Sequence, residues 1–190
     1  ILPLCVVGLS ATAFISTRYK QADTSYSDFI SNDAAASVEM SRANRNVVAT
    51  AYAAYQILTY RQEDPAMKTA VDFYNDSKSK LFERLQNTKL LFPSESVAID
   101  KIIERTKDVV ALTDEAVQLG QADQNDPARA ALAKADTLIL PLTTDSATFL
   151  DQILKTVAVR SDELTNQTNS TIFTSLTVVG VAFALGIIAS

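Results

Sequence analysis

Two uncharged, apolar segments, one at each end of the chain, most constrain how this protein can fold. Residues 1–16 read ILPLCVVGLSATAFIS, and residues 171–190 read TIFTSLTVVGVAFALGIIAS. A helix needs about 20 mostly apolar residues to cross a bilayer, so the second segment has the required length. The first resembles a span whose start is trimmed. The sequence therefore predicts two transmembrane helices, over residues 1–16 and 172–190.

A cleaved signal peptide is the alternative interpretation of the first segment. Such a peptide has a basic region ahead of its apolar stretch and a small-x-small cleavage site after it. No basic region is visible in residues 1–16, and the helical pattern continues beyond them. These two features favour a membrane span.

The region between the spans, residues 17–171, has a composition that favours helices. It contains a single glycine, Gly120, and is rich in alanine, leucine and glutamine. Three groups of helix breakers divide it: Asp64-Pro65, Phe92-Pro93-Ser94, and the stretch from Gly120 to Asp126-Pro127. We expect four helices, over residues 17–63, 65–92, 94–120 and 127–171.

Apolar residues recur at intervals of three and four in each of these helices, which gives each one a single buried seam. Seams of this kind with short connections predict an all-α fold, an antiparallel up-down-up-down four-helix bundle. Asp33 and Lys78 fall on seams and are costly there unless they are paired, and Pro141 is expected to kink the fourth helix. The seam residues are Phe29, Ala36, Met40, Ala43, Val47, Ala54 and Ile57; Met67, Val71, Tyr74, Leu81, Leu85 and Phe92; Ile99, Ile102, Val109 and Ala116; and Leu132, Ala135, Ile139, Leu142, Phe149 and Ile153.

The lengths of the four helices favour a bundle attached to a membrane. At about 1.5 Å per residue, the first and fourth helices are each roughly 70 Å long, and the second and third about 40 Å. Two long helices of equal length, continuous with the two spans, would leave one membrane surface and return to it. The predicted organisation is a first span (1–16), a four-helix-bundle domain (17–171) and a second span (172–190).

Composition excludes several classes of function. A net charge of −5 argues against nucleic-acid binding, which needs a basic surface. The chain has no histidine and one cysteine, Cys5, so an internal disulfide cannot form and zinc, haem and thiol-triad sites lack their ligands. Neither a nucleophile–base pair nor a phosphate loop is present. We expect no enzyme activity, no metal and no cofactor.

The segment SRANR, residues 41–45, is the most specific candidate for binding. Arg42 and Arg45 lie roughly 40 Å along the first helix from the expected membrane surface, and Thr143 and Thr144 lie at the same height on the fourth. Two guanidinium groups one turn apart suit a carboxylate-bearing small molecule, and threonine hydroxyls can bind its other polar atoms. The alternative is a solvated pair between Arg42 and Glu39, three residues away. For Arg84 and Arg105, which adjoin Glu83 and Glu104, the solvated pair is the favoured interpretation.

With these features the chain resembles the ligand-binding region of bacterial methyl-accepting chemotaxis receptors of the four-helix-bundle type. The resemblance rests on a first span continuing into a long helix, SRANR at mid-height, a short helical hairpin, and a long helix entering STIFTSLTVVGVAFALGIIAS. It implies a receptor in the bacterial inner membrane that has its bundle in the periplasm and transmits a signal to a cytoplasmic output domain. It also implies a homodimer through the first helix.

The resemblance implies that arginines of the first helix bind a small, anionic ligand with polar residues of the fourth. The predicted ligand-binding residues are Arg42, Arg45, Asn46, Thr143 and Thr144. Aspartate-type receptors carry a further arginine where this chain has Ala49 and Tyr52, so the identity of the ligand stays open.

Two other functions stay open from the sequence. Similar sensor bundles precede histidine kinases and diguanylate cyclases. A structural or protein-interaction bundle without a small-molecule site is also compatible with the alanine-rich first helix, because alanine lets a partner helix approach closely.

Overall fold

The computed structural model describes the backbone of residues 2–188 and the side chains of residues 6–186, and over these residues the protein is all-α. Ile1, Ala189 and Ser190, at the outer ends of the two predicted spans, and the side chain of Cys5 lie outside this part. The helices are α1 (Leu2–Asp28), a π-helical segment (Phe29–Ala34), α2 (Ala35–Ile57), α3 (Pro65–Leu91), a 3₁₀ turn (Pro93–Glu95), α4 (Ser96–Gln121) and α5 (Asn125–Ile188).

The chain divides into two compact units. One unit is Asn32–Leu154, and the other contains residues 2–31 together with residues 155–188. The first unit therefore holds α2, α3, α4 and the first half of α5, and the second holds the two apolar segments with their polar flanks.

In the unit Asn32–Leu154, α2 packs on α3 and α4, and α3 packs on α4. α5 joins the same core, because Ala131 and Leu132 lie in one buried cluster with Ile57, Tyr74 and Val117 of the other three helices. The predicted seams are confirmed, with Phe29, Val71 and Ile139 only partly buried. Each helix is thus held by the apolar face that its sequence spacing predicts.

The first helix of this unit ends at Ile57, whereas the sequence predicted residue 63. Ile57 is the last fully buried residue of the α2 seam, and residues 61–63 are exposed. A helix without a face to bury gains little from continuing, so the chain turns here. The predicted start of α3 is confirmed, since the Asp64 carboxylate accepts a hydrogen bond of 2.8 Å from the Ala66 amide and Pro65 opens the helix.

The turn between α4 and α5 differs from the sequence prediction. Gly120 was expected to terminate α4, but the left-handed backbone conformation belongs to Asp123, with φ 56°. A Cβ atom on Gly120 would lie 2.9 Å from Leu58 Cδ2, so this glycine permits a close approach to the end of α2. α5 begins at Asn125, and the predicted cap Asp126 lies in its first turn.

The two charged residues predicted on buried seams are accommodated in different ways. Asp33 is 4% exposed and lies in the π-helical segment. Lys78 Nζ lies 2.6 Å from Asp114 Oδ1 and 5.2 Å from the centre of the Tyr74 ring. The Tyr74 hydroxyl donates to the same carboxylate at 2.9 Å and lies 2.8 Å from Thr113 Oγ1. The charge of Lys78 is therefore neutralised across the α3–α4 interface.

Burial keeps Tyr74 in its neutral, hydrogen-donating form. Its burial raises the pKa of the phenol well above the ordinary value of 10, and the Asp114 carboxylate acts in the same direction. Tyr74 is one of the largest fully buried side chains, so this hydrogen bond lies at the edge of the core, where the Asp114 carboxylate is partly exposed.

The second unit brings the two apolar segments side by side. Val7 and Phe14 of α1 line one groove together with Val178 and Val181 of α5. Many apolar side chains of this unit are exposed, among them Leu9, Phe173 and Phe183. Among the described residues, one helix is long and apolar enough to cross a membrane, Asn125–Gly186.

We predict that Tyr74→Phe destabilises the protein by about 1–2 kcal/mol, because it removes the donor to a partly buried carboxylate. The melting temperature of the full chain, followed by circular dichroism, should fall by about 2–8 °C. Tyr19→Phe is the matched control, since Tyr19 is 47% exposed, and should change the melting temperature little. Equal melting temperatures for the two variants would contradict the Tyr74–Asp114 hydrogen bond.

Candidate ligand-binding site

Arg42 and Arg45 lie on different sides of α2. Arg42 Nη1 is 3.1 Å from Glu39 Oε1, and its side chain is half-exposed. At 100° per residue, Arg45 points almost directly away from the core-facing Ala43 and Val47, and it is exposed. Arg42 thus forms the local pair that the sequence left open, whereas Arg45 has no ion-pair partner within the described residues.

The two asparagines beside these arginines are more buried. Asn46 lies seven residues after Glu39, on the same side of α2, and is buried. Its backbone carbonyl accepts the Thr50 hydroxyl at 2.8 Å. Asn44 Oδ1 is buried and has no hydrogen-bond partner among the described residues. The SRANR segment therefore contains one unsatisfied acceptor as well as one free guanidinium group.

Thr143 and Thr144 direct their hydroxyls to their own helix. Both donate to the Leu140 carbonyl, at 2.9 Å each. Thr144 is exposed, and the neighbouring Leu142 and Ser146 are buried. Each threonine oxygen still has acceptor capacity, while its proton is already used.

The structure does not join the two predicted halves of the site by a hydrogen bond or ion pair between described side chains. Arg42 turns toward Glu39, and the hydroxyls of Thr143 and Thr144 turn toward Leu140. The assignment of these residues to one ligand site stays a prediction.

The main cross-helix polar cluster on α2 is centred on Glu39, which the sequence placed only as a partner of Arg42. Arg84 Nη1 of α3 lies 3.0 and 3.2 Å from the two carboxylate oxygens, and Asn87 Nδ2 lies 3.4 Å from Oε2. Glu83, the expected partner of Arg84, is further away at 3.8 Å. The Glu39 cluster, defined as Glu39, Arg42, Arg84 and Asn87, therefore connects α2 to α3.

The electrostatics of the Glu39 cluster favour the charged carboxylate. Burial acts to raise the pKa of Glu39, but the hydrogen bonds from Arg84, Asn87 and Arg42 and the charge of Arg84 outweigh it and lower the pKa below 4.5. The hydrogen bond and charge of Glu39 raise the pKa of Arg84 in turn. The cluster holds its charges at neutral pH.

A second polar arrangement lies between α4 and α5. Arg105 forms an ion pair with Asp145 of α5 instead of the expected pair with Glu104. Together with Lys101 and Phe149, these residues line an open groove of about 470 Å³. Because both charge signs and an aromatic side chain occur there, the groove can accept a small polar molecule.

The two tyrosines in the second half of α2 have different environments, and Tyr52 is largely exposed. Tyr55 is partly exposed and donates a hydrogen bond to Asp136 of α5. Its partial burial and the Asp136 carboxylate raise the pKa of Tyr55 to about 12. Tyr55 therefore links α2 to α5, as Glu39 links α2 to α3.

The exposed face of α2 carries several apolar side chains around Arg45. Val38, Val48 and Tyr52 are all exposed and lie within about 60° of Arg45 on the helix. Isolated exposed apolar residues are common, but a row along one helix face is typical of a contact surface.

Among the described residues, the structure contains no group of three or more acidic, histidine or cysteine side chains that could hold a metal ion. Comparison with protein-family models, with curated proteins and with solved structures gave no match.

We predict that Glu39→Gln lowers stability by about 1–2 kcal/mol at pH 7, because it removes a charge-assisted hydrogen-bond acceptor. The folded-state pKa of Glu39 is depressed, so its contribution is complete above 4.5 and is lost as the pH falls through the folded-state value. The difference in melting temperature between wild type and variant should therefore shrink as the pH is lowered from 5 to 3.

Glu83→Gln is the matched control, because this neighbouring carboxylate is more exposed and lies at the edge of the cluster. It should change the melting temperature little at any pH. If the difference in melting temperature between wild type and Glu39→Gln stays constant with pH, the depressed pKa of Glu39 is contradicted.

Proposed function

We propose that this chain is the sensor module of a bacterial transmembrane chemoreceptor of the methyl-accepting type. The carrying observation is that the two apolar segments, far apart in the sequence, belong to one compact unit and line one groove, while residues 32–154 form a separate helical unit. A receptor of this kind needs both arrangements, because its two spans must lie together in the bilayer and its sensor must fold outside it.

Contacts between neighbouring helices support the up-down-up-down topology within the unit Asn32–Leu154. The ion pairs Lys78–Asp114 and Lys89–Asp100 both join α3 to α4. Residue numbers rise along α3 as they fall along α4, so the two helices run antiparallel. The ion pair Glu39–Arg84 and the shared cluster of Ile57 and Met67 show the same antiparallel order between α2 and α3. Between α4 and α5, the ion pair Arg105–Asp145 and the shared cluster of Ala116 and Leu132 also support an antiparallel order.

The ligand in this proposal is a small organic anion or amino acid bound in the periplasm. Arg45 is exposed and has no ion-pair partner within the described residues, so it offers a guanidinium group to an anion. The exposed apolar face around Arg45, formed by Val38, Val48 and Tyr52, is where we expect a second copy to pack. In such a homodimer the two SRANR segments would face one another across the interface.

A ligand would change signalling only if it binds two conformational states of the receptor with different affinities. A micromolar ligand releases about 8 kcal/mol, which exceeds the 1–3 kcal/mol of typical allosteric coupling. The output domain receiving the signal could equally be a histidine kinase or a diguanylate cyclase, since similar sensor bundles precede both.

A structural or protein-interaction bundle without a small-molecule ligand is the second candidate function. The same exposed row on α2 favours it, because apolar side chains along one helix suit a protein partner.

We predict that position 97 is periplasmic. With Cys5→Ser as background, Val97→Cys should react with a membrane-impermeant maleimide in cells whose outer membrane alone is permeabilised, because Val97 is 70% exposed in the unit Asn32–Leu154. Phe183→Cys, in the second predicted span, is the control and should react only after detergent is added. Labelling of position 97 only after the inner membrane is broken would contradict the proposed topology.

We predict that titration of the detergent-solubilised chain with organic acids and amino acids releases heat, and that Arg42→Ala and Arg45→Ala each weaken binding at least tenfold through loss of a charge-assisted hydrogen bond. Arg129→Ala, an exposed arginine at the start of α5, is the matched control. If binding survives both arginine changes but is lost in Lys101→Ala, the ligand binds in the α4–α5 groove instead.

A further inference from the structure

The α1–α5 pair in the unit of the apolar segments carries a second groove next to the apolar one. The apolar groove, of about 460 Å³, is lined on α1 by Val7, Ser10 and Phe14 among others. The polar groove, of about 540 Å³, is lined on α1 by residues that include Thr17, Gln21 and Thr24.

The two grooves follow one another along the same faces of α1 and α5. On α1, six of the lining residues, namely Val7, Ser10, Phe14, Thr17, Gln21 and Thr24, follow one another at intervals of three and four, which places them on a single stripe. On α5, Gln167 lines the polar groove and Val178 lines the apolar one. These two residues are eleven apart, about three turns, so they also share a face.

The polar groove has the chemistry of a phosphate-binding surface. Lys20 is its one charged lining residue among the described side chains, and carboxylates do not line it. Lys20, Gln21 and Gln167 make no hydrogen bond or ion pair within the described residues, so their donors are free for a ligand. At the border of the two grooves, the Arg18 guanidinium lies 5.4 Å from the centre of the Phe14 ring and adds a second positive charge.

The dimensions match one leaflet of a bilayer. The apolar groove extends on α1 from Val6 to Phe14, about 12 Å at the rise of a helix, against a leaflet hydrocarbon depth of roughly 15 Å. The polar groove follows directly and extends to Ser25, which covers the headgroup region. An amphipathic molecule with an acyl chain and a phosphate group fits this order of surfaces.

We propose that the α1–α5 groove binds one anionic phospholipid, with an acyl chain along Val7 and Phe14 and the phosphate group at Lys20, Gln21 and Gln167. This inference rests on the proposed function, because it requires the apolar segments to lie in a membrane. It adds a lipid site that is separate from the sensor's ligand site.

Native mass spectrometry of the full chain released from vesicles of equal phosphatidylglycerol and phosphatidylcholine content tests the proposal. One phosphatidylglycerol should remain bound in preference to phosphatidylcholine. Lys20→Gln should reduce this retention about fivefold, the effect of one basic residue near an anionic lipid. Lys134→Gln, an exposed lysine of the unit Asn32–Leu154, makes the same charge change and should leave retention unchanged.

Further variants and a competitor separate the possible occupants. Ala11→Phe fills the apolar groove and should also lower retention, while inorganic phosphate should not displace the lipid, because the acyl chain contributes to binding. Equal retention of both lipids, or displacement by phosphate, would overturn the proposal. So would efficient disulfide formation between two copies of Ser10→Cys in a Cys5→Ser background, since a second copy would then occupy the groove.

Flotation of the chain with the vesicles distinguishes failure of this inference from failure of the proposed function. A chain that does not float with vesicles contradicts the membrane-receptor proposal itself. A chain that floats but retains both lipids equally contradicts only the lipid site.

Discussion

The unit Asn32–Leu154 depends on close approach between α2 and its neighbours, which small side chains make possible. Ala36, Ala43, Ala53 and Ala54 are almost completely buried along the α2 seam. An alanine contributes little apolar area by itself, but it lets the backbones of two helices lie near one another, so that larger residues of the neighbouring helix can fill the space. Gly120 serves the same purpose where α4 meets the end of α2. With the helices this close, polar side chains at the edges of the seam can reach the neighbouring helices. The opposite face of α2 stays exposed.

A seam of small apolar residues does not by itself select which helix packs on which side, and the cross-helix polar pairs supply this selection. Glu39 connects α2 to α3, Tyr55 connects α2 to α5, and Asp114 connects α4 to α3 through Lys78. Each pair is partly exposed and contributes modestly to stability. Their value lies in specificity, because any other arrangement of the helices would leave a partly buried charge without a partner.

The same pairing separates structural charges from charges that are free for binding. Arg84 and Arg105 are both occupied by carboxylates of neighbouring helices, and Arg42 is shared with Glu39. Arg45 and Lys101 remain free among the described residues, one on the open face of α2 and the other at the α4–α5 groove. In the proposed receptor, Arg45 and Lys101 are two uncompensated positive charges that an anionic ligand can contact, and a rigid seam between the helices would transmit its effect.

The sequence alone determined the all-α class, the seam residues and the Asp64 cap, because helix periodicity and capping are local properties of the chain. It could not locate the end of α2 at Ile57 or the positive φ at Asp123, since both depend on where burial against other helices stops. It named Arg42, Arg45, Thr143 and Thr144 as a site from their height along the helices, but height does not fix the direction of a side chain. Only the tertiary structure decided that Glu39 binds Arg84, that Arg105 binds Asp145, and that the two apolar ends lie together, because each is a contact between segments distant in the sequence.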